Sequence, residues 1–274
     1  MPSQLTFIGA GNMASAIFGG LIDSGYPADA ITATATRAEH LQTLKARYGI
    51  NISTDNAAAV ADADVVVLAV KPQKMHDVCT ALVEAIQISR PLIVSVAAGL
   101  SAETLDRWLG GDLAVIRCMP NTPSLVGAGA AGLYANPRVS EAQREMASRL
   151  LEAVGLVEWV EEERLLEAIT AVSGSGPAYF FLMIEALEEA GVKRGLPRQS
   201  ARRLAIRTAF GAAKMAGESE YEPAELKRQV MSPGGTTERA IESFERAGIK
   251  TLFDDATRVC AERARELAEE LGKN

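Results

Sequence analysis

Residues 232–237, with the sequence Ser-Pro-Gly-Gly-Thr-Thr, combine the residue types that could hold a small anion. They directly precede an amphipathic run that reaches Phe244. Glycines leave backbone N–H groups accessible and a helix start carries partial positive charge, so this segment could bind a carboxylate. A threonine hydroxyl in the first helical turn could also point at a neighbouring nitrogen of the same molecule. A plain capping role for Thr236 or Thr237 fits the same residues equally well.

Residues 9–14, with the sequence Gly-Ala-Gly-Asn-Met-Ala, form a second segment that could bind a ligand. They lie between an apolar strand pattern at 5–8 and a predicted helix at 15–24. A G-x-G-x-x-G/A turn in this position binds the pyrophosphate of a dinucleotide on backbone N–H groups and a helix start. Ala14 in the third glycine position still permits close packing of helix on strand. We therefore favour a dinucleotide site over an ordinary tight turn.

The chain around this turn alternates between strand and helix patterns up to about residue 160. Such alternation predicts an α/β fold with a parallel, doubly wound sheet. Continuous apolar runs indicate strands that are covered on both faces. Further strands are predicted at 31–36, 65–70, 92–96 and 114–118, with a helix at 39–47.

The residues after the second predicted strand indicate which dinucleotide binds. NAD sites usually carry Asp or Glu there, about 20 residues past the glycines, to bind the ribose 2′-hydroxyl. This chain has Thr34-Ala35-Thr36-Arg37 instead. No carboxylate is present there to repel a 2′-phosphate, while two hydroxyls and a guanidinium could bind one. We therefore expect NADPH, with NADH as the alternative cofactor. A solvated Arg37 at a helix start is the other interpretation of that residue.

Three further loops follow predicted strands at their carboxyl ends, which is where ligands bind in open α/β sheets. They contain residues 69–72, residues 96–98 and the proline-rich residues 119–123, which are not expected to be helical. Small residues in these loops would let the backbone approach a cofactor. Asn121 could face a nicotinamide ring or cap a turn, and either role suits an asparagine at this position.

From about residue 163 the alternation stops and long helical patterns follow, which predicts a second, all-α domain. Residues 178–184 are apolar almost all round, so their helix is expected to be buried or to lie in a subunit interface. We predict domains at 1–162 and 163–274. We also predict a homodimer formed by the helical domain, or an assembly of several such dimers. A monomer with the same helical core is the alternative.

Composition favours a soluble protein of the cytoplasm. The net charge of −7 argues against nucleic acid and anionic membranes as partners, since both attract basic surfaces. No basic leader segment precedes the first strand, and no apolar run is expected to reach membrane-spanning length. Cys79, Cys118 and Cys260 have no C-x-x-C spacing, so we expect buried thiols rather than disulfides or a metal site. His40 and His76 are expected at the surface.

Eight segments, in their order and spacing, resemble the pyrroline-5-carboxylate reductases of proline biosynthesis over nearly the whole chain. They are FIGAGNMASAI, AVKPQ, SVAAG, RCMPNTP, AVSGSGPAY, GLPR, GAAKM and LKRQVMSPGGTTERAIESFE. SPGGTT with its flanks is the most specific and the G-x-G turn the least. The resemblance implies a Rossmann-type dinucleotide-binding domain followed by an all-α dimerisation domain whose helices interleave between subunits. It also implies NAD(P)H-dependent reduction of Δ1-pyrroline-5-carboxylate to L-proline.

The resemblance also implies roles for individual residues. The backbone of residues 232–237 would hold the substrate carboxylate, and Thr237 would bond the ring nitrogen. Asn56 would contact the adenosine end of the cofactor. Many family members carry alanine in place of Thr236, so Thr237 is the preferred residue. The loop after the second strand varies within the family, so its residues are carried over less directly.

These inferences give two predicted sets of site residues. The substrate-binding set is Glu220, Ser232, Gly234, Gly235, Thr236 and Thr237, of which Thr237 is also the predicted catalytic residue. The cofactor-binding set is Ile8, Gly9, Ala10, Gly11, Asn12, Met13, Thr36, Arg37, Asn56, Ala69, Val70, Lys71, Pro72, Val96, Ala97, Ala98 and Asn121.

The SPGGTT segment contains no histidine, lysine or aspartate that could act as a strong general acid. We therefore expect solvent to supply most of the proton to the ring nitrogen, with Thr237 orienting the substrate and donating a hydrogen bond. Most of the rate gain would then come from positioning against the nicotinamide. A β-hydroxyacid dehydrogenase type of enzyme, with Lys214 or Lys227 as its acid, is the alternative enzyme class. A non-catalytic NADP-binding scaffold protein is the alternative outside enzymes.

Overall fold

The computed structural model describes residues 2–272, and within them the chain divides into two compact units. The first unit comprises the residues up to Gly174 together with the residues from Cys260 onward, and the second comprises Ser175–Val259. The end of the chain therefore belongs to the same unit as its beginning. These units describe how the chain packs and do not test the predicted domain ranges. The ranges 1–162 and 163–274 therefore stay a prediction.

The first unit is built on one eight-stranded sheet with the order β3-β2-β1-β4-β5-β6-β7-β8. Every neighbouring pair is parallel except β6 and β7, which are antiparallel. The expected α/β doubly wound fold is confirmed, with the order 3-2-1-4-5-6 typical of dinucleotide-binding sheets. The strands are Leu5–Ile8 (β1), Ile31–Thr34 (β2), Asn51–Ser53 (β3), Val65–Leu68 (β4), Leu92–Ser95 (β5), Val115–Met119 (β6), Gly129–Ala135 (β7) and Gly155–Trp159 (β8).

The reversed strand β7 departs from the expected all-parallel sheet. Residues 120–128 join β6 to β7, and a parallel crossover needs a dozen or more residues, usually including a helix. The chain therefore turns back antiparallel at this point. Residues 122–126 within this connection form a 3-10 turn, which includes residues 122 and 123 of the loop that was expected not to be helical. Pro123 lies in its first turn, where a missing N–H group costs nothing.

Helices cover both faces of this sheet. Phe7, Val67 and Val94 pack into one core cluster, while Ile8 and Leu68, from neighbouring positions on the same strands, pack into another. This alternation explains why the strands read as continuous apolar runs. The helices are Asn12–Asp23 (α1), Ala38–Tyr48 (α2), Asn56–Val60 (α3), Pro72–Ser89 (α4), Ala102–Trp108 (α5), Glu141–Glu152 (α6) and Leu165–Ile169 (α7), and a π-helical turn follows at Thr170–Gly174.

The second unit is helical and its first two helices are joined by an ion-pair cluster. The Glu188 carboxylate accepts hydrogen bonds from Arg198 at 2.9 Å and from Arg202 at 2.8 Å. The bond from Arg202, with that from Arg198, lowers the pKa of Glu188 even though burial opposes the shift. The helices are Gly176–Lys193 (α8), Arg198–Glu218 (α9), Pro223–Val230 (α10), Thr236–Arg246 (α11) and Ile249–Leu271 (α12), of which α12 ends within the first unit.

Helix α8 exposes much of its apolar surface in the single chain. Phe180 is 58% exposed, Phe181 66% and Leu182 64%. Of the two expectations for this helix, burial within one chain is wrong, and a subunit interface is the one that remains.

The largely helical segment Leu165–Lys193 also bears on the membrane expectation. It reaches a mean hydropathy of 1.2 over an 18-residue window, which makes it long and apolar enough to cross a membrane by length and composition alone. The expectation that no run reaches this length was therefore wrong. An interface helix of a soluble protein meets the same criterion, because both bury an apolar surface against another molecule.

The cysteines agree in part with expectation. Cys79 and Cys118 are buried thiols, and Cys260 is half-buried. Desolvation raises the pKa of Cys79 to about 12 and that of Cys118 also well above its usual range, so both are unreactive thiols near neutral pH. Within residues 2–272 no group of three or more metal-binding side chains occurs.

A partly buried carboxylate, Glu163, joins three elements of the first unit. Its Oε1 accepts a hydrogen bond at 2.9 Å from Arg117 on β6 and another at 2.7 Å from the N–H of Ala102 at the start of α5. Burial raises the pKa of Tyr134, which lies opposite Arg117 on β7, and the Glu163 charge adds to the effect. Removing Glu163 would leave both the guanidinium and the helix start without this partner.

We expect Glu163→Ala to lower the free energy of unfolding of the first unit by about 2 kcal/mol, because it leaves the partly buried Arg117 guanidinium without this partner. Trp108 and Trp159 both lie in this unit, so tryptophan fluorescence during urea unfolding follows it selectively. Glu162→Ala is the matched control, since the Glu162 carboxylate pairs with the exposed Arg164 and its removal should change little. Equal effects of the two substitutions would contradict this assignment.

Candidate active site

Strands β1 and β4 lie side by side in the sheet, and the loops that follow them meet at its carboxyl edge. Ile8 pairs in register with Leu68. A Cβ atom at Gly9 would lie 2.7 Å from Val70 Cγ1 and 3.0 Å from the Ala69 carbonyl oxygen, and φ of Gly9 is +94°. Only glycine allows both the conformation and the contact. The glycine turn is therefore packed directly against the β4 loop at the switch point of the sheet.

Gly11, in contrast, faces open space. A Cβ there would meet nothing within 4 Å beyond its chain neighbours, so the fold itself does not require glycine at this position. Gly11 is the N-cap of α1, which has no side-chain cap and no acidic residue in its first turn. The N–H groups of Asn12 and Met13 have no partner within their helix. This arrangement fits a pyrophosphate, which would use the open space, the amides and the helix dipole.

The glycine turn is also tied to strand β2. The N–H groups of Gly9 and Ala10 both donate to the Thr34 carbonyl oxygen, at 3.2 and 2.8 Å. These two amides are therefore not available to a ligand in this arrangement. Ile8, Gly9 and Ala10 from the predicted set shape the turn, while Gly11 to Met13 present the accessible amides.

Helix α4 begins at the same edge of the sheet and is uncapped like α1. Lys71 is its N-cap, Pro72 occupies the first turn, and the first turn contains no acidic residue. Lys71 is exposed, whereas Ala69 and Val70 are half-buried. Two adjacent helix starts and one lysine thus give this edge a positive potential suited to phosphates.

The residues predicted to select the cofactor lie in the loop after β2. Thr36 and Arg37 are both exposed, and Arg37 is the N-cap of α2. Within residues 2–272 the Arg37 guanidinium makes no hydrogen bond or ion pair, so it is available to a 2′-phosphate. Asn56 is half-buried at the first position of α3, whose N-cap Asp55 accepts a hydrogen bond from the Ala58 N–H at 3.1 Å.

The loop after β5 is supported from behind by the end of α12. The Val96 N–H donates to the Leu68 carbonyl oxygen at 3.1 Å, which holds the loop against β4. Ala97 is buried and Ala98 is exposed. A Cβ at Gly99 would lie 3.2 Å from Leu271 Cδ1, so the last turn of α12 closely backs this loop.

Asn121 is buried, with only 8% of its surface exposed, and its amide group bridges two elements. Its Nδ2 donates to the Ser173 carbonyl oxygen at 3.0 Å, and its Oδ1 accepts from the Ala130 N–H at 2.9 Å. The amide thus joins β7 to the π-helical turn at Thr170–Gly174, and π-helical turns often mark functional sites. The Asn121 side chain makes no capping bond to the 3-10 turn that follows it, so the capping interpretation is wrong, while its contact with a cofactor stays a prediction.

His40 belongs to the glycine-turn region, although it was expected at the surface. Its Nε2 lies 2.7 Å from the Ala10 carbonyl oxygen, and the residue is half-buried. His76 has a 45% exposed side chain and packs edge-on against the Trp108 ring at 5.0 Å. No sequence spacing indicates the His40 contact, since it joins residues 30 positions apart.

The SPGGTT segment of the second unit was expected to carry bare backbone amides, but the amides of Gly234 and Gly235 are both hydrogen-bonded within the protein. The Gly234 N–H donates to Glu238 Oε2 at 2.7 Å, and the Gly235 N–H donates to the Ser232 carbonyl oxygen at 2.8 Å. The tight turn with Gly234 at φ +71° satisfies one amide, and an acidic side chain from the first turn of α11 satisfies the other. A ligand carboxylate at Gly234 would have to displace Glu238.

Thr236 and Thr237 are the first two residues of α11, whose start has no side-chain cap. Within residues 2–272 neither hydroxyl takes part in a hydrogen bond. Neither threonine caps the helix, so the capping alternative is wrong. Thr237 is half-buried and Thr236 exposed. Glu220 lies exposed in the turn between α9 and α10.

The two lysines of the alternative enzyme class are both ion-paired on exposed surfaces. Lys214 Nζ lies 3.5 Å from Glu218 one turn further along α9, and Lys227 Nζ lies 3.1 Å from Glu245. Their side chains are 58% and 41% exposed, so neither lysine lies in the kind of buried cleft that suits a catalytic acid.

The chain is similar to known proteins along its whole length. A pyrroline-5-carboxylate reductase from Pseudomonas aeruginosa is 52% identical over 270 residues, which cover 98% of each chain. The chain belongs to the pyrroline-5-carboxylate reductase family. Residues 163–267 match the family model described as pyrroline-5-carboxylate reductase dimerisation. Residues 4–99 match the model described as NADP oxidoreductase, coenzyme F420-dependent.

Solved structures of family members have the same fold. A pyrroline-5-carboxylate reductase from Coxiella burnetii has a TM-score of 0.95 and 43% identity, covering 98% of this chain and 99% of its own. A pyrroline carboxylate reductase from Plasmodium falciparum, with NADP bound, has a TM-score of 0.84 and 27% identity, covering 97% and 98%. The match to a dimerisation domain over 163–267 accounts for the exposed apolar face of α8 in this reductase-family chain.

Gly11 provides a direct test of the pyrophosphate site. We expect Gly11→Ala to raise the dissociation constant for NADPH about tenfold or more, because the added methyl fills the space that a phosphate needs. The unfolding temperature of the cofactor-free protein should change little. Gly9→Ala is the contrasting variant, since its Cβ clashes with Ala69 and Val70 and should lower that temperature. Fluorescence titration and thermal unfolding measure both; unchanged NADPH binding in Gly11→Ala would contradict the site.

Proposed function

We propose that this chain is a pyrroline-5-carboxylate reductase, which reduces Δ1-pyrroline-5-carboxylate to L-proline with NADPH, or less effectively with NADH. The observation that carries this proposal is the 52% identity to a named pyrroline-5-carboxylate reductase across both units of the chain. The enzyme therefore acts on a C=N bond and completes proline biosynthesis.

The first unit supplies the cofactor site. The amides of Gly11 to Met13 would hold the pyrophosphate at the start of α1, and Asn56 would contact the adenosine end. Thr36 and Arg37 would bind the 2′-phosphate, since no carboxylate follows β2 to repel it. The loops at residues 69–72 and 96–98 would line the path toward the nicotinamide. When bound, NADPH supplies the hydride for reduction.

The second unit supplies the acid-binding segment. The first turn of α11 offers backbone amides and a helix dipole to the substrate carboxylate, with Ser232, Gly234 and Gly235 in the turn before it. The Thr237 hydroxyl has no partner in the described chain and can donate to the ring nitrogen. Glu220 lies in an exposed turn and joins this set by resemblance. The nitrogen gains its proton chiefly from solvent.

The assembly follows from the helical half. The dimerisation match and the exposed face of α8 support a homodimer. We extend the proposal to an assembly of several such dimers. We also propose a location in the cytoplasm, in keeping with the biosynthetic role.

The function is tested by incubating the purified protein with NADPH and Δ1-pyrroline-5-carboxylate. We expect a substrate-dependent loss of the NADPH absorbance, with one mole of L-proline formed for each mole of NADPH consumed. Binding of NADPH without turnover would indicate the scaffold alternative. Activity on 3-hydroxyacids that Lys214→Ala abolishes would indicate the dehydrogenase alternative.

Substitutions of Thr237 test whether its hydroxyl contacts the ring nitrogen of the substrate. We expect Thr237→Ala to lower kcat/KM by roughly 10- to 1000-fold, because the lost donor acts on the reacting nitrogen. Thr237→Ser keeps the hydroxyl and should retain most activity. Thr236→Ala is the matched control and should stay close to the parent enzyme. Steady-state kinetics at saturating NADPH measure all three, and an unchanged value for Thr237→Ala would reject the role.

Glu238 tests whether the substrate carboxylate uses the Gly234 amide. Glu238→Gln removes a charge that occupies this N–H, so we expect KM for Δ1-pyrroline-5-carboxylate to fall about two- to tenfold. The turnover number should change less. Glu242→Gln, one turn further along α11 and paired with Arg239, serves as the control. A raised KM in Glu238→Gln would show instead that this carboxylate supports the site.

A further inference from the structure

His40 makes a contact that neither the cofactor nor the substrate assignment uses. It lies on α2, and its Nε2 is 2.7 Å from the carbonyl oxygen of Ala10, in the middle of the glycine turn. A carbonyl oxygen can only accept, so Nε2 carries the hydrogen and the ring donates it. The bond joins the helix that follows β2 to the turn that follows β1.

The carbonyl of Ala10 shares a peptide plane with the N–H of Gly11. In a trans peptide these two groups point in opposite directions, so fixing one fixes the other. The flanking residue is glycine, whose backbone rotates at little cost, and a Cβ atom added there would meet nothing within 4 Å beyond its chain neighbours. A hydrogen bond to the Ala10 carbonyl oxygen is therefore a direct way to set the direction of the Gly11 N–H.

The preceding peptide is held in the same manner. The Ala10 N–H donates to the Thr34 carbonyl oxygen at 2.8 Å. Thr34 thus fixes the Gly9–Ala10 peptide, and His40 fixes the Ala10–Gly11 peptide. Both polar groups of Ala10 are satisfied within the protein. The next amide, the Gly11 N–H, points away from His40 and makes no hydrogen bond within residues 2–272.

We propose that His40 is a positioning residue for dinucleotide binding, which orients the Gly11 N–H toward the pyrophosphate by donating a hydrogen bond from Nε2 to the Ala10 carbonyl oxygen. The pyrophosphate is common to NADPH and NADH, so His40 strengthens the binding of both equally. This role goes beyond the proposed reaction and concerns cofactor binding alone, so measurements without substrate test it independently of that reaction.

Two substitutions at this position separate the donor from the bulk of the ring. His40→Leu removes the donor, and we expect it to raise the dissociation constants of NADPH and NADH by the same factor, about five- to twentyfold. His40→Gln carries an amide N–H that can reach the position of Nε2, and it should recover most of the loss. Isothermal titration calorimetry measures both cofactors. His76→Gln, at the other histidine of the chain, is the matched control and should bind as the parent does.

A readout without cofactor completes the test. Nitrogen-15 NMR of the two ring systems, assigned with His76→Gln, should show His40 as the Nε2–H tautomer in the cofactor-free protein. An Nδ1–H tautomer would overturn the proposal. Loss of NADPH binding with NADH unaffected would overturn it too, since that points to a direct contact with the 2′-phosphate. Unchanged binding of both cofactors, or a loss that His40→Gln fails to rescue, would equally contradict it.

Discussion

The closeness of Gly9 to the loop after β4 is the constraint on which the dinucleotide half of this protein depends. With the Gly9 Cα where it is, any side chain would run into Ala69 and Val70. Their contact brings the starts of α1 and α4 to one place at the edge of the sheet. Neither helix carries an acid in its first turn, so neither neutralises the potential that the two starts create together. A phosphate-bearing cofactor is the natural complement to such an edge.

The second unit uses a helix start in a different way. Helix α11 also lacks a side-chain hydroxyl cap, but its own Glu238 reaches back to the Gly234 amide. A carboxylate already bound at this position shows that the turn accepts an acid group in a stable geometry. A substrate acid at this position would have to compete with the tethered Glu238 carboxylate, which would weaken its binding but leave the Thr237 hydroxyl free. We propose that selectivity for a small amino-acid-like ring depends on that hydroxyl together with the first-turn amides.

Local features of the fold and site could be predicted from the sequence, and contacts between distant segments could not. The glycine turn, the apolar strands and the start of α11 each depend on a few consecutive residues. Strand β7 runs antiparallel because of the length of its connection, which composition does not reveal. The side chains of His40, Asn121 and Glu238 each form a hydrogen bond with a backbone group, and no pattern of side chains in the sequence predicts such bonds. The apolar character of α8 was visible in the sequence, but whether its own chain would cover it depends on tertiary packing.

The central claim is that backbone amides at two helix starts, one in each unit, bind the two acidic parts of the reacting molecules. A crystal structure of the protein grown with NADP⁺ and L-proline measures this most directly. The account predicts the pyrophosphate within hydrogen-bond distance of the amides of Gly11 to Met13, and the proline carboxylate at the first turn of α11. Phosphate or carboxylate density bound to other groups, with these amides still facing solvent or protein, would contradict it.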